Sequence, residues 1–330
     1  LLDVPLLFPI ADADDAPGTA ENLKGDAALA GAFVARSYWG GVHHDGKLHL
    51  RRWRGSWYHW TREQGCYKEL DQEILFKQIL QSELSAGDVT DAGKMLKAII
   101  AFADDGGVLV PESTELGTWL HGSGSGEPVD TATCKNGLLD LKTMTQVPAS
   151  SDYFSTTCLG VGYDPSAPKP LRWLQFLTEC FGEDTQSIEL LQQWFGYCLT
   201  PDTRQQKMLF ILGKRRSGKG TILRVFGALL GEDSVVSPSL TSLKSEFGLW
   251  QMIGKSAAFF PDVRHSDKSD SSRMIETLLS VSGNDRLSVN RKSLSFWHGR
   301  IGTRITLATN ALPDMKDASD ALVSRMMVLD

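Results

Sequence analysis

The chain has 330 residues, 42% hydrophobic and 22% charged, with a formal net charge of -6. That length supports two or three domains with cores of their own, and no tract is biased enough to be fibrous or low-complexity. The longest apolar runs fall far short of the ~20 residues that span a bilayer, and no basic-then-apolar leader opens the sequence.

The charge is unevenly spread. Residues 201–330 hold 19 Lys and Arg against 13 Asp and Glu, whereas residues 1–200 hold 15 against 27. A basic second half permits a polyanionic partner on one face even though the whole chain is acidic. The five cysteines, Cys66, Cys134, Cys158, Cys180 and Cys198, form no C-x-x-C pair. They read as reduced thiols rather than as a disulfide framework or a zinc site.

Residues 1–20, with "ADADDAPGTA", read as an acidic, proline-broken linker, and Asn22 to Tyr38 reads as a helix. His43-His44-Asp45 precedes Gly46 and reads as a polar turn. "DGKLHLRRWRGSWYHW" (45–60) alternates around Gly55-Ser56 as a hairpin does. Its interleaved Arg51, Arg52, Arg54 and Trp53, Trp57, Trp60 suit stacking on single strands. The reading preferred is structural: tryptophans in a small core, arginines in solvent. Helical periodicity returns at Glu69–Leu84 and Val89–Phe102. "CKNGLLDLKTMTQVP" (134–148), after a Gly/Ser-rich loop, reads as strand and turn, and "LRWLQFLTECFG" (171–182) and "SIELLQQWFGYCLT" (187–200) as helices. From Gln206 onward short apolar strands alternate with helices, the pattern of an α/β domain.

"LFILGKRRSGKGTILRVFGALLG" (209–231) is strand, glycine-bounded loop and helix. Gly213, Lys214, Arg215, Arg216, Ser217, Gly218, Lys219, Gly220 and Thr221 have the spacing of a phosphate-binding P-loop, whose backbone N–H groups and helix N-terminus hold phosphate oxygens. The hydroxyl expected directly after the lysine is replaced by Gly220 and comes one residue late, at Thr221. "KSAAFFPDVR" (255–264) is an apolar strand ending in Asp262, placed to hold Mg²⁺ together with Thr221. "RITLATN" (304–310) is a second such strand, ending in Asn310, which could orient water. Arg325 precedes a third, where it could reach a neighbouring subunit's site. Between them "LLSVSGNDRLSVNRKSLSFWHGR" (278–300) reads as hairpins bearing Arg286, Arg291, Lys292 and Arg300, suited to sugar-phosphate contacts.

In this order, the P-loop, the strand with its terminal acid, "SGNDRLSVNRK", "ITLATN" with "LP", and "SDALVSRMMV" resemble superfamily 3 helicases of the phage/plasmid primase–helicase family. Upstream, "CKNGLLDLKT", "YDPSAPKPLRWLQFLTECFG" and "IELLQQWFGYCLTPDTRQQKMLFILGK" are similar to the poxviral-type helical domain that precedes the motor there. The resemblance implies a linker (1–20), a mainly helical α+β accessory domain (21–200) and an α/β P-loop NTPase motor of AAA+-like kind (201–330). It implies ATP and Mg²⁺, a homo-oligomeric ring, usually hexameric, around single-stranded DNA, and 3′→5′ translocation during replication of a phage, plasmid or integrated element. Lys219 would hold phosphates, Asp262 would be the motif B acid, Asn310 the sensor and Arg325 a finger acting in trans. Arg291 and Lys292 fall where relatives carry a DNA-contacting hairpin. A primase or polymerase domain in the parent chain and the cytoplasm of a bacterial host belong to the same implication.

The chain departs from the family pattern in its single motif B acid and in Thr277 or Leu278 where relatives often carry lysine. Two other readings stay open. An ATP-binding ring-assembly or loader module would need little hydrolysis of its own. A nucleotide kinase shares the G-K-G-T ending, although kinases place it near their N-terminus rather than after about 212 residues.

Overall fold

The structure, a computed structural model, describes residues 47–71, 108–120, 130–245, 247–261, 271–291, 294–310 and 320–330. Two compact units divide the chain, Leu1–Glu115 and Leu116–Asp330. The linker at 1–20, the helices expected over Asn22–Tyr38 and Val89–Phe102, His43-His44 and most of Glu69–Leu84 lie outside the described residues. No helix among the described residues is long and apolar enough to cross a membrane.

In the first unit β1 (Leu50–Trp53), β2 (Ser56–Trp60) and β3 (Tyr67–Leu70) form an antiparallel sheet. Glu69 and Leu70, expected to open a helix, thus close a strand. The β1–β2 turn is Arg54-Gly55, with φ of 46° and 79°. Two consecutive left-handed residues match the right-handed twist of the flanking strands, so the turn falls one residue earlier than the sequence indicated. Trp53, Trp57 and Trp60 are buried as expected, but Arg51 and Arg54 are buried with them. Arg54 stacks over Trp53 and donates from Nε and Nη2 to the Glu112 carbonyl (3.0 and 2.9 Å) and from Nη2 to Glu115 Oε1 (3.0 Å). The flat guanidinium places Nε and Nη2 on a carbonyl and a carboxylate while its face covers an aromatic ring, which lets an arginine enter a core.

The second unit opens with three small antiparallel pairings. β4 (Thr118–Trp119) pairs with β8 (Tyr153–Phe154), and β5 (Thr131–Cys134), β6 (Gly137–Asp140) and β7 (Thr145–Val147) form a meander. Helix α1 (Leu171–Phe181) comes next, then α2 (Thr185–Tyr197). Asp184 caps α2 by accepting from the Ser187 N–H at 3.0 Å and its hydroxyl at 2.7 Å, and that side-chain bond holds its carboxyl below the usual range. The described part of 21–200 therefore contains more strand than helix.

A five-stranded, all-parallel sheet then forms from β9 (Met208–Ile211), β10 (Val235–Val236), β11 (Ala257–Pro261), β14 (Arg304–Ala308) and β15 (Met326–Leu329) in the order β10-β11-β14-β9-β15. Parallel strands need crossovers, which cover the sheet's faces, so its central strands read as unbroken apolar runs: Met208 to Ile211 are all buried. The crossovers carry α3 (Lys219–Leu230), α4 (Ser271–Ser282) and α5 (Asp320–Arg325). A hairpin of β12 (Arg286–Arg291) and β13 (Leu294–Arg300) stands between α4 and β14.

One apolar cluster joins the two halves of this unit. Ala132, Cys134 and Leu139 of the meander share it with Leu177 of α1, Trp194 of α2, Phe226 of α3 and Phe259 of β11. This shared core explains why the unit begins at Leu116, whereas the sequence placed a boundary near residue 200. Rings stack through it: Trp173 on Phe176 and Phe195, Phe195 on Phe226 at 4.1 Å, Phe226 on Phe259 at 5.3 Å. Trp194 Nε1 donates to Thr306 Oγ1 at 3.0 Å, tying α2 to β14. Buried Arg304, over the Tyr197 ring, donates to the carbonyls of Thr200 and Asp202 and fixes the chain entering β9.

Phe226, fully buried between two rings, sets the prediction for this fold. Phe226→Ala should lower unfolding stability by about 3–5 kcal/mol, read from the urea midpoint of the second unit's transition. A loss below about 1 kcal/mol would mean that the stack does not join the two halves.

Candidate nucleotide site

Parallel strands bring their C-terminal ends to one edge, and the loops that leave those ends meet there. β9 leads into Gly213–Gly218, β11 into Asp262, and β14 into Thr309 and Asn310. Thr309 N–H donates to the Ile211 carbonyl at 3.0 Å, setting Asn310 beside the P-loop. β11 ends at Pro261, level with Ala308 in the register; Asp262 itself lies outside the described residues.

The loop has the backbone that its glycines permit. Gly213 has φ 144° and Gly218 φ 93°. A Cβ on Gly213 would come within 2.6 Å of Ser217 Oγ, and one on Gly218 within 2.8 Å of Cys180 Sγ and 3.0 Å of Phe176 Cζ. Arg216 is also left-handed, at φ 65°, which a non-glycine residue adopts at a cost. Gly218 caps α3, so the first N–H groups of that helix open toward the loop. Lys214, Arg215, Arg216 and Ser217 are exposed, as is Gly220.

Lys219 points its ammonium back into the loop. Nζ donates to the carbonyls of Gly213 (2.6 Å) and Lys214 (2.9 Å), to Ser217 Oγ (3.5 Å) and to Asn310 Oδ1 (3.1 Å). Lysine and asparagine, 91 residues apart, thus share one hydrogen bond. A loop lined by N–H groups around a cation that already engages oxygens fits phosphate. For Mg²⁺ the described residues offer Thr221 Oγ1, which accepts from Arg224 Nη2 at 2.9 Å. No cluster of three or more His, Cys, Asp or Glu suited to a metal occurs among the described residues.

Behind the loop stands α1, with Cys180 Sγ 3.8 Å from the Ser217 carbonyl. Burial raises the Cys180 thiol above its ordinary range, with Glu179 adding to the effect. Sequence reasoning missed Cys180, Phe176 and Arg224. The first two had no local signal, while Arg224 could have been found as the residue one helical turn beyond Gly220.

Arg325 lies at the end of α5, with Nη1 donating to the Leu279 carbonyl and to Ser282 Oγ (3.3 Å). It caps α4 within its own chain; Gln206 Nε2, donating to the Gly283 carbonyl at 2.9 Å, braces the same helix end. On the hairpin, Arg291 is buried and Lys292 is outside the described residues. Arg286 and Arg300 are exposed and directly opposite one another. Like charges paired across strands repel, and an anion bound between them relieves that repulsion. Phe296 and His298, on the same exposed face as Arg300, stack at 6.5 Å. The hairpin's outer face therefore combines two arginines with two rings.

Residues 211–325 match a family of unknown function, DUF5906, and residues 130–182 match the family D5 N terminal like. No curated protein matches the chain. Two apo structures of the NrS-1 C terminal region align with it at TM-scores of 0.52 and 0.53 and identities of 14% and 12%. Each alignment covers 85% of this chain and 58% of the other, so this chain spans little more than half of those relatives. At such identity the likeness is one of fold: the α/β architecture is shared. A JCV helicase aligns over 46% of this chain and 42% of its own at TM-score 0.35 and 16% identity.

The closeness of Gly218 to α1 gives a prediction. Gly218→Ala forces strain and two short contacts, so ATP affinity should fall roughly tenfold or more while the far-UV circular dichroism stays unchanged. Unaltered affinity would show that this loop geometry does not hold the nucleotide.

Proposed function

We propose that the chain is the motor portion of an ATP-driven, superfamily 3-type DNA helicase acting in replication of a phage, plasmid or integrated element. The observation that carries the reading is the Lys219–Asn310 hydrogen bond at 3.1 Å, which joins a P-loop to the end of a neighbouring strand. The D5 N terminal like match just upstream supports it.

In this reading the P-loop N–H groups and Lys219 bind the β- and γ-phosphates of ATP, the substrate. Asn310 accepts from Lys219 through Oδ1, and its amide nitrogen can donate to the attacking water. Bound Mg²⁺ would neutralise developing charge on the phosphates, with Asp262 and Thr221 as its protein ligands. Strands β9, β11 and β14 hold these groups on a rigid edge, so orientation comes from the sheet rather than from loop closure. Arg286 and Arg300 contact the DNA backbone, with Phe296 and His298 offering stacking faces, and Arg291 and Lys292 add to the positive charge that this part of the chain offers DNA. Subunits assemble as a ring, usually hexameric, and Arg325 completes the neighbour's site after releasing its bond to Leu279.

One observation favours a second reading, an ATP-binding assembly module: the Thr221 hydroxyl is already engaged by Arg224.

ATP turnover with and without single-stranded DNA distinguishes them. The wild type should be stimulated by DNA, Asp262→Asn should be inactive, and the double variant Arg286→Ala/Arg300→Ala should keep basal turnover and lose most of the stimulation. Tight ATP binding without turnover in the wild type would favour the assembly module; stimulation surviving in the double arginine variant would remove the hairpin from the DNA path.

A further inference from the structure

Resting on that nucleotide site, the structure bears on what replaces the hydroxyl absent at Gly220. The helix places residue 224 one turn above residue 220, on the same side. A Cβ built on Gly220 has open space around it apart from Arg224 Nη1, at 3.7 Å. A serine at 220 would direct its oxygen into the corner that this guanidinium borders. Nη2 of the same group donates to Thr221 Oγ1 at 2.9 Å. One arginine thus borders the empty hydroxyl position and occupies the next hydroxyl along. Arg224 is exposed, and no carboxylate lies within ion-pair distance of it among the described residues.

We infer that Arg224 is a second phosphate-binding cation of this site, supplying from α3 the positive charge that a P-loop otherwise recruits through a metal-ligating hydroxyl. A guanidinium suits the role: it is always charged, and its planar fork donates to two phosphate oxygens at once. The lysine approaches from the loop and the arginine from the first turns of the helix, so nucleotide binding depends on divalent metal less than it does with serine or threonine after the lysine. With no metal bound, Thr221 Oγ1 accepts from Nη2 and orients the guanidinium, which leucine or alanine at 221 would not do; Mg²⁺ on that oxygen displaces this bond.

The test is equilibrium binding of ATP to the full chain, once in Mg²⁺ and once in EDTA, with thermal melting to confirm folding. Wild type should bind in EDTA within a few-fold of its affinity in Mg²⁺. Arg224→Gln should weaken binding roughly tenfold or more in EDTA but less than about threefold in Mg²⁺, with Arg224→Lys between. Adding Gly220→Ser to Arg224→Gln should restore affinity in Mg²⁺ only. If Arg224→Gln binds like wild type in EDTA while Lys219→Ala does not bind, the P-loop reading stands and the role of Arg224 is wrong. If wild type fails to bind in either condition, or Lys219→Ala binds like wild type, the nucleotide site itself is wrong and the inference goes with it.

Discussion

An ammonium group ringed by oxygens at the edge of a parallel sheet organises the second unit. Lys219 engages the Gly213 and Lys214 carbonyls and Ser217 Oγ within its own loop, and reaches Asn310 Oδ1 only because β9 and β14 are neighbours and end level. That adjacency needs long crossovers, which cover the sheet with helices and make its central strands uniformly apolar. The site and the core are thus consequences of one topology. The aromatic stack from Trp173 to Phe259 joins the helix behind the P-loop to the strand that leads into Asp262.

The strands of the parallel sheet were legible because burial on both faces leaves an unmistakable trace: "MLFI", "AAFF" and "ITLA" are short, apolar and each succeeded by a polar residue within a few positions. The glycine-bounded turn between β9 and α3 was legible because left-handed and crowded positions admit glycine, and Gly213 and Gly218 mark two of them. Helices α1 and α2 were legible from their spacing. The hairpin was legible as alternation, but which arginines face solvent was not. A register shift between Val289 and Arg291 changes the alternation near the tip and leaves Arg291 buried.

Other features had no local signature. Nothing in "TATC" or "GLLD" tells that Ala132, Cys134 and Leu139 pack with Trp194 and Phe226, so the boundary drawn near 200 missed a core shared across it. Arg51 and Arg54 defeat the rule that arginines stay at the surface, because Arg54's donors find carbonyls some 60 residues away. Arg325 shows the same limit. Sequence order suggested a role in a neighbouring subunit, and the fold gives it a capping role within its own chain, so acting in trans requires that cap to release. Gly220 looked like a defect in the motif, yet the helix brings Arg224 to its side.

The central claim is that Lys219 and Asn310 form one catalytic unit, and a double-mutant cycle tests it most directly. The ATPase rate would be measured for wild type, Lys219→Ala, Asn310→Ala and the double variant at saturating DNA. Groups that act as a unit are strongly non-additive, so the double variant should be scarcely slower than Lys219→Ala alone. Losses that simply multiply would contradict the account and leave the hydrogen bond between them a structural contact.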